Sequence, residues 1–442
     1  GSECLPYLNT SALCNNGAPE KTGDEFQVNT HIDGIREQVA TATLSNGEVV
    51  VVWRDGWRAD QTGLYGRRLD SQGSAIGDEF KINTYGTQIY HSAISALSGG
   101  GYVVAWYRNT GSDLYGQRFD SQSNPVGAEF KINSEDGGGQ SSPSIAGLSN
   151  GGFIVVWYSA HNSFGDGVYS QQYDSSGNKV GTETEVKYEA VNGKHHHYPK
   201  VAAFSHDGYV VAWERYTQDA TSNTWEDDIL LQRFDSTGTK VGDEVQVNTF
   251  DDYNQQGVEI GVFSDDSFIV VYSSQRQNPN QGNLRQLYAQ RFHASGNKAG
   301  DEFALNENPT DDVSWKKILI INDDKFVVTW SEGGNRDGDG HGIFANLYDS
   351  TGTAISDEFQ VNDYFTGYQS ASVITKLGDG FVIAWKGKSA TDTGGIFAQR
   401  FEMSAGNARA VLGQANNEDD SLCIPCLATE VASGEACLCA ED

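Results

Sequence analysis

Gly151-Gly152-Phe153-Ile154-Val155-Val156-Trp157 is a phrase that the chain uses seven times. The other copies end at Trp53, Trp106, Trp213, Tyr272, Trp330 and Trp385, and successive ends lie 53, 51, 56, 59, 58 and 55 residues apart. A period of that size marks stacked supersecondary units and outranks any local motif in deciding the fold. The phrase is a β-branched and aromatic run that follows a turn rich in Gly, Asn, Asp and Ser. It is too short for a typical helix and too apolar for an edge, so it reads as a buried central strand, position B of its repeat.

Working outward, three further segments recur. Asp24–Thr30 (DEFQVNT) returns at Asp78–Thr84, Ala128–Ser134, Thr182–Tyr188, Asp243–Thr249, Asp301–Glu307 and Asp357–Asp363, with the apolar/polar alternation of a half-buried strand, position D. Small residues such as Val39-Ala40-Thr41-Ala42-Thr43-Leu44 precede each B strand and suit a crowded innermost strand, position A. Asn-Gly and Asp-Gly turns join A to B. Segments such as Leu114–Asp120 (LYGQRFD) form position C. Four antiparallel strands in about 55 residues, seven times over, predict an all-β, seven-bladed β-propeller. The first D strand has no C strand before it, and the last C strand has no D strand after it. Residues 25–29 are therefore expected to pair with residues 396–402 and close the ring, hiding edges that invite aggregation. A linear solenoid would need capping repeats, and none is visible.

The chain has 442 residues, 38% hydrophobic and 11% aromatic, with 51 glycines, a balance that fits strands and turns. Its net charge of -30 makes nucleic acid a poor partner, since phosphate contacts need Lys and Arg. Such acidity could attract Ca²⁺ or basic partners, but a solvated acidic coat is the favoured reading. No stretch approaches the 18 or so apolar residues of a membrane span, and no signal-peptide pattern is present.

In a propeller the A–B and C–D turns share one face, and the B–C and D–A connections share the other. Here the first set is short and repetitive and the second varies, so binding is expected on the variable face. Trp57 and Trp225 fall in B–C loops and are candidates for stacking on sugars or partner proteins. Asn335, Asp337 and Asp339 match the first half of an acidic calcium loop, but Asn346 replaces the bidentate Glu at the twelfth position. A polar turn is preferred there, with calcium the alternative. His195-His196-His197 is zinc-capable by residue type, yet consecutive residues rarely converge on one metal and no carboxylate stands at ligand spacing, so a surface loop is expected. Glu25, Glu79, Glu129, Glu183, Glu244, Glu302 and Glu358 recur in every repeat, which argues for a blade-building role rather than catalysis. Ser205-His206-Asp207-Gly208 only superficially matches a sialidase-type turn, and no nucleophile elbow, phosphate loop or HExxH is present. The chain is read as non-enzymatic.

The wording GDEFQVNT, SNGEVVVVW and LYGQRFDSQG resembles tandem repeats of large secreted bacterial proteins, including adhesins and calcium-dependent exoproteins, over about residues 23–407. The resemblance implies an extracellular propeller, free or attached to a cell surface, and no catalytic residue. Residues 1–22 and 408–442 form tails outside it. They carry Cys4, Cys14, Cys423, Cys426, Cys437 and Cys439, an even set that reads as disulfides of an oxidising compartment with pairing left open. Asn9-Thr10-Ser11 is a glycosylation sequon. The expected function is an extracellular building block that joins copies of itself head-to-tail through these tails into a fibre. The alternative is a lectin- or adhesin-like module that binds glycans or cell-surface proteins on the variable face.

Overall fold

Every repeated phrase folds as the strand its pattern requires. The computed structural model describes residues 19–403, apart from 57–61, 86–87, 135–137, 163–164, 190–193, 219–224, 251–252, 276–283, 308, 311, 335 and 390–391. Both cysteine-bearing tails with all six cysteines, Asn9, Trp57 and Asn335 lie outside the described residues, as does the Trp225 side chain.

The first strand is β1 (Glu20–Gln27). Blade 1 follows as β2 (Arg36–Thr43), β3 (Val49–Asp55), β4 (Gly63–Leu69) and β5 (Ala75–Lys81). Blade 2 is β6 (Ile89–Ala96), β7 (Tyr102–Arg108), β8 (Asp113–Phe119) and β9 (Pro125–Lys131). Blade 3 is β10 (Gly139–Gly147), β11 (Phe153–Asn162), β12 (Gly165–Tyr173) and β13 (Lys179–Tyr188). Blade 4 is β14 (Lys194–Ala203), β15 (Tyr209–Gln218), β16 (Trp225–Phe234) and β17 (Lys240–Gln246). Blade 5 is β18 (Gln255–Val262), β19 (Phe268–Gln275), β20 (Arg285–Phe292) and β21 (Phe303–Ala304). Blade 6 is β22 (Val313–Asn322), β23 (Lys325–Glu332), β24 (Gly342–Asp349) and β25 (Phe359–Gln360). Blade 7 holds β26 (Ser370–Leu377), β27 (Gly380–Gly387) and β28 (Gly395–Glu402).

Each blade is a four-stranded antiparallel sheet, and the seventh is completed by β1 in the order β1-β28-β27-β26. Phe26 stands opposite Ala398 and Gln27 opposite Phe397, and the Val28 N–H donates to the Ile396 carbonyl at 2.7 Å. The ring is closed as the repeat arithmetic requires. The closing strand starts earlier than its apolar alternation suggested, because pairing resumes at Glu20–Thr22 beyond a bulge.

Packing between blades explains the repeated text. The B-strand tryptophans Trp53, Trp106, Trp157, Trp213, Trp330 and Trp385 are fully buried. At the seam, Val28, Val49, Val51 and Trp53 share one core with Val373, Val382 and Ile396. In six blades the first aromatic of strand B stacks on the last aromatic of strand C. Phe153 on Tyr173 (4.5 Å) and Tyr209 on Phe234 (4.8 Å) are examples. Such pairs are worth about 0.5–1.5 kcal/mol beyond the area they bury.

Polar repeats do separate work. In strand D a buried Asn accepts the N–H that opens strand C. Asn83 takes that of Leu64 (2.7 Å), Asn248 that of Ile229 (2.8 Å), and Asn29 closes the ring by taking that of Ile396 (2.6 Å). The recurrent glutamates clamp neighbouring blades. Glu129 accepts the Thr84 N–H (2.9 Å), Glu183 that of Ser134 (2.8 Å), Glu302 that of Thr249 (2.9 Å), Glu358 that of Glu307 (2.6 Å) and Glu25 that of Asp363 (2.7 Å). Glu79 holds Thr30 in the same way, and Glu244 pairs with Lys187 instead (3.1 Å). Among the described residues, no helix is long and apolar enough to cross a membrane.

Candidate active site at the variable face

All seven innermost strands break register at one equivalent point, and the residue there has positive φ: Gln38 (57°), His91 (50°), Ser142 (51°), Tyr198 (48°), Gly257 (69°), Trp315 (50°) and Ala371 (57°). A left-handed conformation in non-Gly residues stores strain, and a bulge re-aims the side chain it carries. Two of these residues are large aromatics left open to solvent, Tyr198 (47% exposed) and Trp315 (60%).

Below the bulges the A strands surround a narrow axial channel of about 250 Å³. Lys200, Glu259 and Lys317 line it. Glu259 pairs with Lys200 at 3.0 Å and also with Lys317. Burial raises the cost of charge on all three. The two ammonium groups overcome it for Glu259 and hold its carboxyl below the usual range.

The richest chemistry lies at the variable face on blades 3 to 6. The segment expected to be a surface loop, His195-His196-His197, is instead the start of β14. Alternation along a strand sends His195 and His197 to one side and His196 to the other. His196 is fully buried and accepts a hydrogen bond from Trp213 Nε1 (3.1 Å). Burial depresses its pKa to about 4. The carboxylate that seemed missing arrives from the neighbouring blade. Asp166 Oδ2, on β12, lies 2.8 Å from His195 Nδ1 and 3.2 Å from His197 Nε2. Together with Tyr198 and Tyr216 these residues line an open basin of about 370 Å³. The Tyr158 ring stacks on His197 (4.4 Å) and Tyr216 meets the same imidazole edge-on (5.0 Å).

Behind the basin stand buried carboxylates. Glu214 on β15 accepts the Tyr216 hydroxyl (3.0 Å) and the Gly257 N–H (2.6 Å). Burial pushes its carboxyl up, while Lys316, which donates to the Gln256 carbonyl (2.9 Å) and Ser273 Oγ (3.1 Å), is pushed down by the same cause. Asp227 accepts Gln256 Nε2 (2.5 Å), and Arg285 donates to the Gln256 side-chain oxygen (2.7 Å). Burial lifts Asp227 to about 6, against the pull of Gln256 and Arg285.

Asp227 gives a pH prediction. Its folded pKa lies above its unfolded one, so the charged form costs stability above about pH 6, and the cost fades as pH falls toward 3.8. Asp227→Asn should stabilise the protein at pH 7.5 by on the order of 2 kcal/mol. That gain should shrink at pH 5 in urea unfolding; an equal gain at both pH values would contradict it.

The remaining candidates sit elsewhere. Asp337 is nearly buried and turns back to accept the Asp339 N–H (3.2 Å), while Asp339 accepts the Gly367 N–H of the next blade (3.2 Å). Trp315 was not singled out among the loop tryptophans, because its exposure comes from a strand bulge that residue types do not announce.

No protein-family model matches the chain, and no curated protein matches it in sequence. Solved structures match its fold. The polysaccharide lyase Uly1 is 13% identical with a TM-score of 0.53, over 85% of this chain and 91% of its own. An ulvan lyase of a new polysaccharide lyase family is 8% identical with a TM-score of 0.54, over 86% and 96%. An α-L-arabinanase of Penicillium chrysogenum, complexed with arabinobiose, is 11% identical with a TM-score of 0.50, over 88% and 99%. The reading of the chain as non-enzymatic is therefore corrected: propellers of this fold include enzymes that cleave carbohydrate. The residues hold no contiguous catalytic text, and the polar groups here converge from several blades.

Proposed function

We propose that this propeller cleaves an extracellular polysaccharide in the basin on blades 3 and 4. The observation that carries the reading is Tyr216, which lines the basin and whose hydroxyl donates to the buried Glu214 carboxylate at 3.0 Å. A phenol backed by a carboxylate can pass a proton through itself, taking one from a sugar while handing its own to Glu214. Both carboxylates behind the basin are buried, so a pair of exposed acids flanking a glycosidic bond is not the arrangement here. Proton abstraction beside a uronate carboxylate followed by β-elimination fits better: the ring double bond forms as the C–O bond to the leaving sugar breaks, and the proton held by Glu214 returns through Tyr216 to the departing oxygen. The lyases among the structural neighbours support that class. Exposed Tyr198, on the rim of the basin, offers the sugar a stacking face.

The expectation of a fibre subunit rested on tails outside the described residues, and nothing in the propeller supports it. A lectin-like role remains the second reading, favoured by exposed Trp315. A panel of acidic and neutral polysaccharides separates the two. Tyr216→Phe should lower kcat roughly 100-fold with little change in KM, as expected for loss of a general acid–base group. Products should carry the ultraviolet absorbance of an unsaturated uronate. Binding without cleavage across the panel would select the lectin reading.

A further inference from the structure

Asp166, His195 and His197 have a geometry that sugar binding does not require. Two imidazoles come from alternate residues of one strand, and one carboxylate from the adjacent blade meets both, with all three ligand atoms within 4.8 Å of one another. Among the described residues this is the one such group of three or more. Zinc holds N and O ligands at about 2.0–2.2 Å, which sets neighbouring ligand atoms roughly 3.3–3.5 Å apart in a tetrahedron. Asp166 Oδ2 stands 2.8 and 3.2 Å from the two imidazole nitrogens, close to those separations.

The surroundings hold the set in place. Tyr158 stacks on the His197 ring, Tyr216 abuts its edge, and the strand pairing of β14 with β15 fixes His195 opposite Tyr216 and His197 opposite Glu214. All three ligands are partly exposed to the basin, so further coordination positions would face its contents. Two imidazoles with one carboxylate suit zinc; calcium and magnesium prefer sets made of oxygen alone. We infer that Asp166, His195 and His197 form a zinc-binding site with open positions toward the basin. The inference stands on ligand geometry and does not depend on polysaccharide cleavage.

The test is calorimetric titration of zinc chloride into the chelator-treated full chain, with cobalt(II) absorption as a second readout. One ion should bind per chain, roughly 100-fold more weakly in His197→Ala and at least about tenfold more weakly in Asp166→Asn, with circular dichroism unchanged. The cobalt spectrum should lack thiolate charge-transfer bands. The inference falls if binding is not saturable, if it survives His195→Ala/His197→Ala, or if thiolate bands place the ion on the tail cysteines. A protein that binds zinc but cleaves nothing removes the cleavage reading alone; one that cleaves after chelation and binds no zinc removes this site alone.

Discussion

Replacing Arg36 by alanine is expected to lower the unfolding free energy by about 3–5 kcal/mol, the usual cost of leaving buried charge unpaired. Arg36 is fully buried at the start of β2, where blade 1 meets blade 7. Its Nη1 reaches both oxygens of Asp392 (3.2 and 3.3 Å) and its Nε lies 3.6 Å from Asp55 Oδ2. The same guanidinium donates to the carbonyls of Gly34 (3.1 Å), Asp33 (2.9 Å) and Gly394 (3.3 Å). Asp392 in turn accepts Gln27 (2.6 Å) and Asn29 (3.1 Å) at the end of the closing strand. Removing the cation would leave Asp392 and Asp55 buried at the seam without it. Lysine should rescue poorly, because a point charge cannot reproduce a planar fork that serves several acceptors. Urea unfolding measures the loss, and a variant within 1 kcal/mol of wild type would mean that strand pairing alone secures the ring.

That seam shows what could be read in advance. The count of blades and the pairing of β1 with β28 follow from the period, since one orphan D strand and one missing D strand make a whole sheet. The glutamate clamps were visible as repetition, which pointed to a part in building the blades. Their actual partners were not visible, because six join residues about 50 positions apart across a blade boundary and Glu25 reaches Asp363 across the seam. Arg36 and Asp392 lie outside the repeated text and carried no signal. The site fared similarly. His195-His196-His197 reads as a loop when consecutive residues are not expected to converge and no carboxylate stands at ligand spacing, although alternation in an extended segment pairs His195 with His197. Asp166 comes from another blade, and positive φ at Tyr198 and Trp315 is a backbone property that residue type does not foretell.

The core strand that revealed the fold also supports the site, and Trp213 is where the two meet. Trp213→Ala should cost about 3–5 kcal/mol through the cavity it leaves among Val156, Val168, Val211 and Leu230. It should also weaken zinc binding, since Trp213 Nε1 anchors His196, and His196 lies between the two outward-facing imidazoles. Phenylalanine separates packing from the hydrogen bond. Trp213→Phe keeps most of the volume but withdraws the donor from a buried acceptor, at an added cost of about 1–3 kcal/mol. Trp53 is the internal control: it is equally buried, yet its Nε1 has no hydrogen-bond partner among the described residues. Trp53→Phe should therefore cost less than Trp213→Phe and leave zinc affinity unchanged. Equal losses in thermal or urea unfolding would show that Trp213 acts on His196 by packing alone. A larger loss at Trp213, with weakened metal binding, would tie the basin to the strand from which the propeller is built.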